Sequence, residues 1–200
     1  MYLFQQLNKA GKHIDFNSVK DANNWYRREA LKVNKADIDR NKIMDTAKAF
    51  RTFTELRDPQ SLGKMFIYQY DPKLKDILPF YDTFPLVFPI GFYKDGFLGI
   101  NLHYLAPRER AVLMNAIYEH TQNQAVKAKD KPALIYNTLS SAPHLFKKYN
   151  VCVKRYLANH VINSRYQYIN PNDWDKALML PMQKWVVNSH IRSKTPVPTW

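Results

Sequence analysis

Between Gly63 and Tyr104 the chain sets aromatic and β-branched residues between four turn signals. Residues 64–70 alternate, with Met65, Ile67 and Gln69 on one side and Phe66, Tyr68 and Tyr70 on the other, which predicts a strand. Asp71-Pro72-Lys73 turns the chain. Leu86-Val87-Phe88 reads as a short strand, while Pro79, Pro85 and Pro89 restrict the stretch around it to edge strand and extended structure. Asp95-Gly96 predicts a tight hairpin with positive φ, and the strand from Phe97 to Tyr104 completes a three-stranded antiparallel unit.

Helical spacing governs the flanks. Val19, Ala22, Trp25, Tyr26 and Ala30 recur on one face, behind a cap at Asn17 or Ser18. A second helix is expected from about Ala36 to Leu56, with Ile38, Ile43, Ala47, Phe50 and Phe53 as its apolar line and Asp58-Pro59 as its stop. Pro107 opens a helix carrying Ala111, Leu113, Met114, Ile117 and Tyr118 inward, and Pro132 opens a shorter one through Leu139. Residues 150–163 read as a further helix, with Val153, Tyr156, Leu157, His160 and Val161 on one side. Tyr166, Tyr168 and Ile169 suit a strand, and Asn170 to Asp173 a cap ahead of Trp174, Ala177 and Leu178. Alternating prolines predict an extended tail over 194–200.

These elements predict an α+β fold in which a small antiparallel sheet, curled into an SH3-like barrel, carries flanking helices. The expected organisation is an N-terminal helical segment over 1–60 and an α+β core over 61–182, followed by a C-terminal extension over 183–200. Within that core, strands fill 63–105, helices 107–163 and further strands 165–182. Apolar residues at 46% and aromatics at 14% allow a sizeable core, so long-range disorder is not expected. The first fifteen residues lack a cationic start, an apolar run and a cleavage site, so no secretory signal is expected; no window supports a membrane span. The lone Cys152 cannot form an internal disulfide, fits a reducing cytoplasm, and has the apolar neighbours of a buried packing residue.

Charge changes the picture more than composition does. The net charge is +13, and its distribution is uneven. Residues 1–57 hold twelve Lys and Arg against seven acids, whereas 58–130 balance at eight each. From Lys131 to Asn172 there is no acid at all. Such asymmetry points to a polyanion or an acidic protein face. Lys147, Lys148, Lys154, Arg155 and Arg165 are therefore candidate polyanion-binding residues. Tyr149, Tyr156, Tyr166 and Tyr168 among them are candidates to stack on bases, the alternative being that the tyrosines are core and the charges solubilise. Arg27, Arg28, Lys32, Lys35, Arg40 and Lys42 form a second basic cluster that also reads as a solvated helix face.

Catalytic patterns find little purchase. Asp71, Asp76 and Asp82 near Lys73 and Lys75 have the composition of a metal-dependent nuclease set, but they fall about a proline turn rather than on converging strands. The six histidines lack metal-ligand spacing, with His103 and His160 better read as structural, and Ser140-Ser141 has no flanking glycine. Gly96-x-x-Gly99 lacks the following helix of a phosphate loop. No catalytic, metal or cofactor residues are assigned, and a non-enzymatic protein is expected. The Pro- and aromatic-rich stretch from Ile77 to Pro89 is the first candidate for a protein contact through Leu78, Phe80, Tyr81 and Phe84, against the alternative of packing beneath a loop.

Two blocks carry a resemblance. Tyr70-Asp71-Pro72-Lys73-x-Lys75, Leu78 to Val87 and Asp95 to Leu105 form the first; Lys154-Arg155-Tyr156-Leu157 and Trp174-x-x-Ala177-Leu178-x-Leu180-Pro181 form the second. Together they span roughly 63–181, and the chain resembles virion proteins of contractile-tailed bacteriophages, DNA end protectors among them. The resemblance implies a structural component of a phage particle (tail, baseplate or neck), held by neighbouring virion subunits and assembled in the host cytoplasm. Its alternatives are a virion protein that protects genome ends by binding double-stranded DNA, or a generic nucleic-acid-binding module.

Overall fold

The computed structural model of the chain describes residues 3–34, 50–121, 130, 133–134, 137–138, 150–179, 182–192 and 197–198. The described helices are α1 (Leu3–Gly11), α2 (Val19–Asn34), α3 (Phe53–Leu56), α4 (Pro107–Thr121) and α5 (Trp174–Met179). The described strands are β1 (Phe50–Arg51), β2 (Met65–Ile67), β3 (Phe80–Asp82), β4 (Leu86–Phe92), β5 (Gly96–Asn101), β6 (Val153–Leu157), β7 (Tyr166–Ile169) and β8 (Trp185–Val187).

Six strands form an antiparallel sheet in the order β1-β7-β2-β4-β5-β6, and β3 pairs separately with β8. Period-2 alternation gives this sheet two different faces. Met65, Ile67, Leu86, Phe88, Ile100 and Ile169 face the helices, meeting Phe4 and Leu7 of α1, Tyr26 of α2, Met114 and Ile117 of α4 and Trp174 of α5. The other face is aromatic: Phe66, Tyr68, Phe97, Tyr156 and Tyr166 pack with Leu56, Val87 and Val161. Each such buried large side chain contributes roughly 1.5–3 kcal/mol. Asp175 of α5 anchors α1, accepting the backbone N–H of Leu3 at 2.9 Å.

The sheet is curled but does not close into a barrel. Three strand steps separate β7 from β5, about 14 Å in a flat sheet, yet the Tyr166 and Phe97 ring centroids lie 6.0 Å apart. Among the described residues β1 and β6 remain edges, and an isolated bridge between Tyr70 and Val161 ties the segment after β2 to the segment after β6. The α+β class therefore holds, while the SH3-like barrel expected from sequence is replaced by an open, six-stranded sheet with a helical layer on one face.

Residues 150–163 depart furthest from expectation. They form a short 3₁₀ turn, strand β6 and a second turn rather than a helix. Val153, Tyr156 and Leu157 fit both periods, so the pattern alone was ambiguous. Pairing with β5 decides it: Tyr156 stands opposite Phe97 with the rings stacked at 5.4 Å, and Val153 stands opposite Ile100. Cross-strand aromatic and β-branched pairs contribute about 0.2–1 kcal/mol each, and a helix here would leave that edge of β5 unpaired. Phe50, placed on a helix by its spacing, lies in β1, and α3 starts afresh at a Thr52–Glu55 capping box. The rest of that expected helix, over 36–49, lies outside the described residues, as do most of the helix expected from Pro132 and most of the tail. Of the strands expected over 165–182, β7 is present and α5 follows it.

Two local points have different causes from those the sequence suggested. Pro89 sits in β4, a strand paired on both sides, and is accommodated where the register shifts between Pro89 and Gly91. Gly96 is not in the left-handed region; among the described residues positive φ occurs at Gly63, Asn163 and Ser164. The position requires glycine because β6 passes too close: a Cβ on Gly96 would lie 1.9 Å from the Tyr156 carbonyl oxygen. Gly96→Ala is therefore expected to destabilise the fold by about 1–3 kcal/mol, as overpacking does. Urea unfolding would measure it, and an unchanged midpoint would refute the close approach.

Candidate nucleic-acid interface

Strand β6 carries the two cations that the structure brings together, and among the described residues no strand pairs with its outer edge. Ala158 donates its N–H to Asp95 at 2.9 Å, so amides at even positions of β6 point toward β5. Those at odd positions point outward: the Leu157 N–H donates to the Tyr70 hydroxyl at 3.1 Å. Two residues back along the strand, the Arg155 amide faces the same way. Beside this edge lies a cleft of about 540 Å³, bounded on one side by Lys154 and Arg155 and on the other by the segment from Pro72 to Tyr81.

Lys154 is half-buried, with its ammonium 4.5 Å from the centroid of the Tyr104 ring. No carboxylate lies within ion-pair distance of it among the described residues. Burial lowers its pKa, since losing water disfavours the charged form. The cation–π contact offsets part of that cost. Arg155 is differently placed: it donates through Nη2 to both carboxylate oxygens of Asp95, at 2.9 and 3.0 Å, and lies over Tyr93. That pair is solvent-exposed and contributes little stability.

The opposite wall is shaped by a turn over 73–77, with Lys75 bonded to Asp71 at 3.0 Å and the Asn188 side chain donating to the Asp76 carbonyl at 3.2 Å. This wall presents Pro72, Leu74, Leu78 and Tyr81, with Lys73 beside them. Phe80 turns away, onto Trp185 at 5.7 Å and Tyr104 at 6.1 Å.

Beneath the cleft lies a buried polar network. The Asp82 carboxylate accepts the backbone N–H groups of Phe84 (2.9 Å) and Lys184 (3.1 Å) and the Asn101 amide (3.4 Å), and bonds His103 Nδ1 at 2.5 Å. Asn101 Nδ2 also donates to the Tyr156 hydroxyl at 3.1 Å. Arg110, fully buried on α4, donates to the carbonyls of Leu105, Leu178 and His103 at 2.8, 3.0 and 3.3 Å. Burial lowers its pKa to about 10, so it stays a cation at neutral pH and its field complements Asp82. The network locks β3, β5 and α4 to α5 and fixes the floor under Lys154.

His103 makes this network pH-sensitive. Its pKa is lowered, chiefly by burial, against the opposing pull of Asp82. The unfolded chain then binds the proton at higher pH than the folded one. This contribution to stability is fully present above about pH 6.5 and is lost as pH falls below it. The wild-type melting temperature should fall more between about pH 7 and 5 than that of His103→Gln. Parallel slopes for the two proteins would remove His103 as the cause.

Of the candidate polyanion residues, Lys154 and Arg155 share the cleft, Arg165 is exposed ahead of β7 and does not line it, and Lys147 and Lys148 lie outside the described residues. Tyr156 and Tyr166 are core rather than stacking surfaces, and Tyr149 lies outside the described residues. Among the proposed contact residues, Leu78 and Tyr81 reach the cleft, Phe80 packs internally, and Phe84 is buried in the helix-facing core. Sequence reasoning missed Lys73, Tyr104 and Asp95 as neighbours of Lys154, because contacts between residues that far apart in the chain leave no periodic trace. Cys152 is buried, and its thiol pKa is pushed up to about 12, which removes it as a nucleophile. A second cleft, of about 440 Å³, opens between α1, α2 and α4 and is lined by Lys9, Lys12, His13 and Arg108.

The sequence profile of the family described as phage T4 terminal DNA protecting protein matches residues 6–197. Neither a curated protein nor a solved structure matches the chain.

Proposed function

The chain belongs to the phage T4 terminal DNA protecting protein family, and on that premise we propose that it binds the ends of linear double-stranded DNA and shields them without catalysing a reaction. The observation that carries this reading is the family match along nearly the whole chain. The net charge of +13 supports it, since a polyanion is the partner such a surface suits. Lys154 supports it locally, as a half-buried ammonium that lacks a carboxylate partner among the described residues and gains from an arriving phosphate.

The non-enzymatic part of the proposal rests on the chemistry of the site. Asp82 and His103 form the kind of pair that hydrolases use, but both side chains are fully buried, and the carboxylate is spent on His103, Asn101 and the backbone N–H groups of Phe84 and Lys184. Of the placements expected from sequence, the family description favours the genome terminus over a purely structural role in tail, baseplate or neck. Neighbouring virion subunits are the proposed protein partners that keep it there.

The deciding experiment is a salt titration of binding to linear and covalently closed duplex DNA of equal length. Tighter binding to the linear form, with log affinity falling by about 0.9 per phosphate neutralised for each decade of salt, is expected. Equal binding to both forms would reduce the protein to a general polyanion binder, and no binding near physiological salt would direct its charge to acidic protein partners.

A further inference from the structure

The cleft beside β6 has two walls of different chemistry. One carries the Lys154 cation and the outward amide of Arg155, whose guanidinium is paired with Asp95. The other carries the apolar and aromatic side chains of Leu74, Leu78 and Tyr81, with Lys73 beside them. Leu74 is 54% exposed, and Tyr81 makes no ring contact with another aromatic among the described residues, although Phe80 beside it is packed. A site for backbone phosphates alone needs no such wall.

At about 540 Å³ the cleft falls within the roughly 300–1,000 Å³ that enclose small ligands, and a base-paired duplex is far too wide to enter it. A single nucleotide combines what the two walls offer, an anionic phosphate and a flat apolar base. We infer that the cleft receives the last nucleotide of a DNA strand, unpaired from its complement, with its phosphate on Lys154 and the Arg155 amide and its base against Tyr81 and Leu74. The inference rests on the DNA-end reading and deepens it: a strand end has a nucleotide to give up, whereas the middle of a duplex must pay to unstack one.

Four DNAs of matched length test it: a blunt duplex, duplexes with one unpaired 5′ or 3′ nucleotide, and a covalently closed form. The unpaired nucleotide on one strand polarity should improve affinity about tenfold over the blunt end, as stacking one base on an aromatic ring does. 2-Aminopurine at that position should change fluorescence on binding. Tyr81→Ala should abolish both effects, and Tyr81→Phe should retain them. Leu74→Glu, on an exposed side chain that the fold does not need, should abolish them also. Equal affinity for blunt and unpaired ends, both above the closed form, would overturn the nucleotide site while leaving end binding intact. A preference that survives both Tyr81→Ala and Leu74→Glu would overturn it equally. Equal binding to all four DNAs would overturn the end reading itself.

Discussion

Lys154→Glu combined with Arg155→Glu is expected to weaken binding to linear duplex DNA by ten- to a hundredfold and to flatten its salt dependence. Each lost phosphate contact removes about one from the salt slope, and each 1.4 kcal/mol of lost interaction is about tenfold in affinity. The two residues contribute unequally. Arg155 already spends its guanidinium on Asp95, whereas Lys154 lacks a carboxylate partner among the described residues and is half-buried. Lys154→Met alone should therefore carry much of the loss. The same substitution should keep or raise the melting temperature, because it removes a desolvated cation and sets an apolar side chain of similar length over Tyr104. Loss of affinity without loss of stability marks a residue kept for binding. Unchanged retention on DNA by the double variant would sink the assignment of β6 as the grip.

Asp82→Ala should be the most damaging single substitution for the fold, at about 3–5 kcal/mol. The carboxylate collects two backbone amides, the Asn101 side chain and His103, all buried. Removing it strands those donors away from water and leaves the buried Arg110 cation without its nearby opposing charge. For a chain of this length the loss corresponds to a drop of roughly 6–20 °C in melting temperature, readable by calorimetry. Asp82→Asn keeps an acceptor for some of these groups and should fall between wild type and alanine. A loss under about 1 kcal/mol for Asp82→Ala would mean that water replaces the carboxylate and that the network does not hold the floor of the cleft.

Much of the fold was legible because its signals are local. Helix α2 follows from Ala22, Tyr26 and Ala30 on one face, and α4 from Pro107 at its first turn. The β2-β4-β5 meander follows from alternation, although Gly96 does not take the positive φ its turn predicted. The site was legible only in part. Lys154 and Arg155 stood out by charge, but placing them on a helix hid that neighbouring residues of a strand face opposite ways. Arg155 therefore reaches Asp95 while Lys154 lies over Tyr104.

What the sequence determined by itself is the set of periodic apolar positions, the uneven charge and the missing catalytic patterns, because these belong to residues near one another in the chain. Tertiary structure alone decided that 153–157 is a strand, that Gly96 must be glycine and that Asp82 is a buried hub. It also made two residues fifty positions apart, Tyr104 and Lys154, into neighbours at one cleft. The physical reason is shared by all four: each depends on which distant surface a segment is left to pack against, and that pairing is not written in its local pattern.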